Sequence, residues 1–311
     1  MNFTSFILRQ SYQKIADLGD RLGEIEKLID WSQFVPIISE LYSDNLVNGG
    51  RPHTDEILLI KILVLQQWHG LSDYEIEKQA NDRVSFQHFL GFPDTIPDRS
   101  TVWRFRERLI KHNKEEAIWT ELQRQIDLLG FQIKRGVIQD ASFITSDPGH
   151  ARADKPRGEA AKTRRSKDGT WVKKGNKSYF GFKLYTIVDK ESQIIRRFDT
   201  STASLHDSQI DLSKSGETVY RDRGYFGVRT EASIDKTMKK ASRNKPLSIK
   251  DKRRNKAISR VRCLVERPYA VIKRVFHAGH ILVSTIARVN IKNIFSCFSY
   301  NLYRLSSLCY S

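Results

Sequence analysis

Asp140, Asp222 and Glu266 each close a short stretch: Val137-Ile138-Gln139-Asp140, Val219-Tyr220-Arg221-Asp222 and Arg262-Cys263-Leu264-Val265-Glu266. All three lie in a half of the chain that is otherwise rich in Lys and Arg. Isolated acids in such surroundings suit a hard divalent cation such as Mg²⁺, which takes oxygen ligands from a few carboxylates and from substrate phosphates. Two such ions about 4 Å apart stabilise both the attacking and the leaving oxygen of a phosphodiester displacement. Carboxylates drawn together repel one another, and the cation removes that penalty. Taken singly, an Asp at a strand end is most often a cap or turn residue, so the flanking sequence must carry the argument.

The elements that position these acids change character along the chain. Up to about residue 130 the pattern is helical. Apolar residues recur at helical spacing from Asp55 to Trp68, Gly70 supplies a stop, and Ser72-Asp73-Tyr74-Glu75 has the form of a capping box. A further helix is expected from Asp98 or Ser100 through Leu109, made basic by Arg99, Arg104, Arg106, Arg108 and Lys111. Its cations form either the solvated face of a helical bundle or a surface lying against DNA phosphates, with Arg104 and Arg106 as candidate contacts.

Beyond residue 130 the signal is of strands. Gly136 to Ile144 is a short apolar run with Asp140 in its middle. Ser178 to Asp189 alternates, with Phe180, Phe182, Leu184, Thr186 and Val188 on one face; the turn Asp189-Lys190-Glu191-Ser192 leads back through Ile194 to Thr200 as a hairpin. Thr218 to Asp222 is another short strand. His206 and Asp207 are read as a helix start, with Asp207 or Ser208 as cap, in preference to a fourth metal ligand. His277 and His280 lack the further ligands a zinc site needs.

Charge points to the partner. The 311-residue chain carries a formal charge of +17, which predicts attraction to a polyanion, with nucleic acid ahead of an anionic membrane. The most apolar run, Ile57 to Leu65, is far short of the ~20 residues that span a bilayer and contains Lys61. Ala151 to Ile187 holds eleven Lys or Arg against three acids, and Lys236 to Arg262 holds twelve against one. Both runs flank the acids, which suits the tracking of phosphates, and Trp171 within the first could stack on an unpaired base. Three cysteines, Cys263, Cys297 and Cys309, without metal-ligand spacing and with no export signal ahead of them, are expected in a reducing cytoplasm.

These motifs together resemble those of DDE transposases of prokaryotic insertion sequences, specifically insertion-sequence family five. The likeness runs from about Gly50 to Leu305. Its N-terminal part rests on Gly50-Arg51-Pro52, Leu65-Gln66-Gln67-Trp68-His69-Gly70-Leu71-Ser72-Asp73, Phe89-Leu90-Gly91 and Trp103-Arg104-Phe105-Arg106. The C-terminal part rests on Asp140-Ala141-Ser142, Lys177-Ser178-Tyr179-Phe180-Gly181-Phe182-Lys183, His206-Asp207-Ser208, Asp222-Arg223-Gly224-Tyr225 and Val265-Glu266-Arg267-Pro268-Tyr269-Ala270-Val271-Ile272-Lys273.

The resemblance implies an α+β organisation: an all-α, helix-turn-helix-like N-terminal domain over 1–130 for DNA binding and dimerisation, then an RNase H-like catalytic domain with a mixed sheet over 131–311. It implies Asp140, Asp222 and Glu266 as both catalytic and metal-binding residues, with two Mg²⁺ ions that Mn²⁺ can replace. Arg262 and Lys273 accompany the glutamate, and Lys177 and Lys183 join them as candidate DNA contacts. The implied activity is binding of terminal inverted repeats in double-stranded DNA, cleavage by metal-activated water and joining of the 3′-hydroxyl to target DNA. A homodimer on DNA at the nucleoid is the implied setting. The rival readings are a catalytically inactive DNA-binding derivative and a nuclease that only hydrolyses. On an α-helix Arg262, Glu266 and Lys273 share a face within ~40°; Pro268 interrupts that helix, so the shared face requires a modest bend or a restart. The chain departs from the family's pattern at Ser259, where many members have tyrosine, and at Tyr185, where many have histidine.

Overall fold

The computed structural model describes residues 3–42, 53–149, 166–243 and 246–310; Gly50-Arg51-Pro52 and the basic residues between Ala151 and Arg165 lie outside the described residues. Two compact units emerge: Met1–Gly130 with Ile294–Ser311, and Phe131–Asn293.

The first unit is helical: α1 (Phe3–Asp17), α2 (Arg21–Leu28), α3 (Val35–Ser39), α4 (Glu56–Trp68), α5 (Asp73–Asp82), α6 (Val84–Phe89), α7 (Arg99–His112) and α8 (Glu115–Leu128). The local signals act as expected. Asp55 caps α4 by accepting from Leu58 N, Ser72 caps α5 through Glu75 N, and Asp98 caps α7 through Thr101 N. From Leu58 to Trp68 every residue of α4 is buried, as a helix apolar on all sides must be. Its one cation, Lys61, is held by Glu26 at 2.6 Å.

The C-terminal segment Ile294–Ser311 packs with these helices, whereas the sequence placed it with the strands. Phe298 lies against Trp31 and Phe34, and Tyr303 against Trp68. These contacts arise between residues remote in sequence, which is why local pattern could not assign the segment. Among the described residues no helix is long and apolar enough to cross a membrane.

The second unit is built on a seven-stranded mixed sheet: β1 (Val137–Ser146), β2 (Thr170–Lys174), β3 (Lys177–Asp189), β4 (Ile195–Thr202), β5 (Thr218–Arg221), β6 (Ile234–Thr237) and β7 (His280–Ile281). The main path runs β2-β3-β1-β5-β6, with β4 also on β3 and β7 on β1. β1 is antiparallel to β3 and parallel to β5, and β5 is parallel to β6. With α9 (Ile249–Arg262), α10 (Glu266–Ala270) and the first residues of α11 (Ile286–Cys309), whose remainder from Ile294 belongs to the first unit, this is the arrangement of an RNase H-like domain.

β3 is more deeply covered than simple alternation implies. From Phe180 to Asp189 every residue is buried, so Lys183 and Tyr185 are inside along with the apolar face. β1 and β3 approach so closely at Gly181 (φ +154°) that a Cβ there would lie 2.0 Å from the Ile144 carbonyl oxygen.

Candidate active site

The register of β1 sets the first acid. Asp140 pairs with Thr186 of β3, and Tyr269 of α10 ties the two strands to its helix. The Tyr269 hydroxyl donates to the Asp140 carbonyl oxygen at 2.8 Å and lies 2.8 Å from Thr186 Oγ1, leaving the threonine to act as donor. Asp140 Oδ1 accepts from the Ala141 N–H at 3.0 Å, and Oδ2 lies 3.1 Å from Arg262 Nη2 at the end of α9. Burial pushes the Asp140 carboxyl up to about 6 against the pull of Arg262, and Asp222 and Asp207 add to the rise as like charges.

Asp222 follows β5 directly and caps a single 3₁₀ turn, Arg223–Tyr225, its Oδ1 accepting from Gly224 N at 2.7 Å. A Cβ on Gly224 would come within 2.9 Å of that same oxygen, so any larger residue there would shift the Asp222 carboxylate. Behind it Arg221 is fully buried, held by Asp235 at 3.0 Å and by Thr237 Oγ1 at 2.9 Å. A second 3₁₀ turn, Asp207–Gln209, packs on the first. Its cap is His206, whose Nδ1 accepts from Ser208 N, instead of the expected Asp207 or Ser208. Asp207 is thereby freed to take the Lys183 ammonium at 2.7 Å. The charges of Asp207, Asp140 and Asp222 all bear on the buried Tyr225 phenol, which burial first and then these acids hold in its protonated form.

Glu266 opens α10 and is exposed. The chain around it stays helical but changes gauge: α9 passes into a 3₁₀ segment, Cys263–Val265, then α10, then a π segment, Val271–Val275, closed by Phe276 N–H on the Val271 carbonyl at 3.0 Å. Pro268 falls in the first turn of α10, where helical N–H groups lack partners in any case, so the helix restarts around it. The even 100° step that put Arg262, Glu266 and Lys273 on one face does not hold across these segments. Arg262 instead reaches Asp140.

A family profile described as Transposase DDE domain matches residues 132–302, and one described as Transposase domain (DUF772) matches residues 10–108. The chain belongs to the transposase DDE domain family. No solved structure matches it. Membership makes this a transposase, of a family of DNA-cleaving and DNA-joining enzymes that use divalent metal.

The residues of this transposase meet that requirement at two of the three acids. Asp140 and Asp222 offer hard oxygen donors, and the raised proton affinity of Asp140 beside another carboxylate is the strain a cation relieves. Among the described residues no group of three or more His, Cys, Asp or Glu is gathered closely enough to hold a metal, so Glu266 does not complete a cage in this arrangement.

The other candidates divide between surface and interior. Lys177 is exposed at the start of β3, Arg104 is exposed on α7, and Trp171 is 54% exposed on β2, tilted against Phe180 at 5.4 Å. Lys273 is half-buried in the π segment. Lys183 and Arg106 turn inward. Lys183 holds Asp207 and the Leu205 carbonyl, while Arg106 grips Asp73 with both Nη atoms, at 2.7 and 2.5 Å, and Gln66 at 2.8 Å. Both cations are largely covered and already paired with half-exposed carboxylates, unlike the open surface contacts expected of them.

Ser259 lines an open cleft of about 530 Å³ whose rim carries Arg223, Lys252, Lys256 and Arg260 over Met238 and Leu247. Sequence reasoning gave no role to Tyr225, Tyr269 or Arg221. Only their place beside the acids in the quoted motifs hinted at one, because an aromatic or arginine at a strand end reads equally well as packing.

Proposed function

We propose that this transposase acts at the ends of an insertion sequence of family five, with Asp140, Asp222 and Glu266 as its catalytic acids. Two Mg²⁺ ions, replaceable by Mn²⁺, would supply an activated water and stabilise the leaving oxygen. Asp140, from within β1, and Asp222, directly after the neighbouring β5, would hold them, with Glu266 of α10 and DNA phosphate oxygen as the further donors.

Arg262 pairs with Asp140, and its planar fork is suited to hold a backbone phosphate bidentately beside the acids. Lys273 and Lys177 add point charges, and the cationic cleft beside Ser259 continues the phosphate track. Trp171 offers an exposed ring on which a base can stack. The helical unit, through Arg104 on α7, binds the terminal repeats, and a homodimer holds paired ends within the cytoplasm at the nucleoid. The released 3′-hydroxyl then attacks target DNA at the same acids.

The observation that carries this reading is the half-buried Asp140 carboxylate, pushed toward neutrality by burial and by Asp222, with the Arg262 guanidinium on one of its oxygens. Ionising Asp140 there costs the fold stability, a cost that a bound cation would offset. The test is a band-shift and nicking assay on a duplex carrying the element's end. Asp140→Asn, Asp222→Asn and Glu266→Gln are expected to bind it and fail to cut it. Cutting by any of the three variants at the parent rate removes that acid from the site.

A further inference from the structure

Tyr225 carries a feature that packing alone leaves unexplained. Its side chain is 1% exposed, and its hydroxyl has no hydrogen-bond partner among the described residues. A buried hydroxyl without a partner is costly, and native interiors rarely retain one without a reason. The ring is well placed: the Arg221 guanidinium lies 5.5 Å from its centroid. Phenylalanine would serve that contact as well, so the hydroxyl is the atom that requires an account.

The surroundings supply it. Tyr225 ends the 3₁₀ turn that Asp222 begins, its N–H bonding the Asp222 carbonyl at 3.3 Å. The turn carrying Asp207 packs on this one, with Asp207 fixed by Lys183. Three carboxylates, Asp207, Asp140 and Asp222, act on the phenol. A phenol held protonated among acids can serve as a hydrogen-bond donor to carboxylate oxygen.

We infer that Tyr225 is a positioning residue of the cation site: its hydroxyl donates to a carboxylate of the Asp140 and Asp222 pair once a divalent cation draws them in, fixing that carboxylate's orientation. The orphaned hydroxyl then belongs to the cation-free state and finds its partner in the loaded one. This rests on the assignment of Asp140 and Asp222 as cation ligands. Hydrogen-bond partners of metal-bound groups typically change metal affinity about 10-fold to 100-fold when removed.

The role predicts opposite signs in the two states. In the intact chain with EDTA, Tyr225→Phe should melt at or above the temperature of the parent protein, because it deletes an unpaired buried hydroxyl and keeps the ring. With Mn²⁺ titrated in and no DNA present, half-saturation of the melting shift should move to roughly 10-fold higher Mn²⁺ or more. Isothermal titration with Mn²⁺ should show the same loss, and Asp222→Asn should lack the shift. If the parent shifts with Mn²⁺ and Tyr225→Phe follows the same curve, the hydroxyl has no part in the site and the inference fails alone. A variant that melts lower without metal yet keeps its Mn²⁺ affinity would assign the hydroxyl a purely structural role. Absence of any Mn²⁺ shift in the parent would remove the cation assignment and the inference together.

Discussion

Replacing Asp140 by asparagine should stabilise the cation-free protein at neutral pH. Asparagine imitates the protonated carboxyl in shape and charge, so the comparison isolates the cost of ionising Asp140 inside the fold. Raising that carboxyl from its ordinary value near 3.8 to about 6 corresponds to about 3 kcal/mol, at roughly 1.4 kcal/mol per tenfold change in proton affinity. The attraction of Arg262 is already included in that balance, since it acts on the same carboxyl. The side chain keeps 23% of its surface, so a gain of about 1–3 kcal/mol is the reasonable range.

The direction with pH follows from where the proton is held more tightly. The folded state binds it better than the unfolded chain, so the parent enjoys this stabilisation fully below about pH 4 and loses it as pH rises through about 6. Asparagine has no proton to lose. The advantage of Asp140→Asn should therefore be absent near pH 4, open between pH 4 and 6, and be complete above about pH 7. Urea unfolding of both proteins in EDTA across this range measures it directly. A variant less stable than the parent at pH 8 would refute the reasoning, because it would mean that the Arg262 ion pair outweighs burial.

Three further outcomes follow from the same geometry. Gly181→Ala should destabilise the sheet by about 3 kcal/mol in denaturant unfolding, since the new Cβ overlaps the Ile144 carbonyl at an unfavourable φ. Arg106→Lys should lose the two-pronged grip on Asp73 and cost about 1–3 kcal/mol, while leaving the salt dependence of DNA binding unchanged; a slope lower by about one would instead make Arg106 a phosphate contact. Lys183→Met should lower the melting temperature by leaving Asp207 without its cation, again with an unchanged salt slope.

Much of what positions the site was written locally. The caps Asp55, Ser72 and Asp98 work through hydrogen bonds within three residues, and β1, β3, β4 and β5 fall on runs whose apolar pattern is visible in the sequence. The hairpin turn after Asp189 is likewise local, Asp189 Oδ2 accepting from Ser192 N at 2.7 Å. Long-range burial was not legible in this way. Lysine and arginine read as surface residues by type, so nothing near Lys183 or Arg106 announced that they would turn inward to pair with Asp207 and Asp73. The regular helical face of Arg262, Glu266 and Lys273 gave way to 3₁₀, α and π segments, which Pro268 hinted at without specifying. Tyr225 and Tyr269 were quoted in motifs yet had no chemistry assigned, since a phenol's role depends on which atoms its hydroxyl meets. Asp207, read as a cap, lost that position to His206 and became the acid that Lys183 holds.

The central claim is that Asp140, Asp222 and Glu266 together drive joining of DNA ends. The measurement closest to it is strand transfer: a labelled duplex bearing the element's end, incubated with Mg²⁺, target DNA and either the parent protein or Asp222→Asn. Nicked and joined product is expected from the parent and neither from Asp222→Asn, with end binding retained by both. Joined product from Asp222→Asn at the parent level, or binding without cutting by the parent, would contradict it.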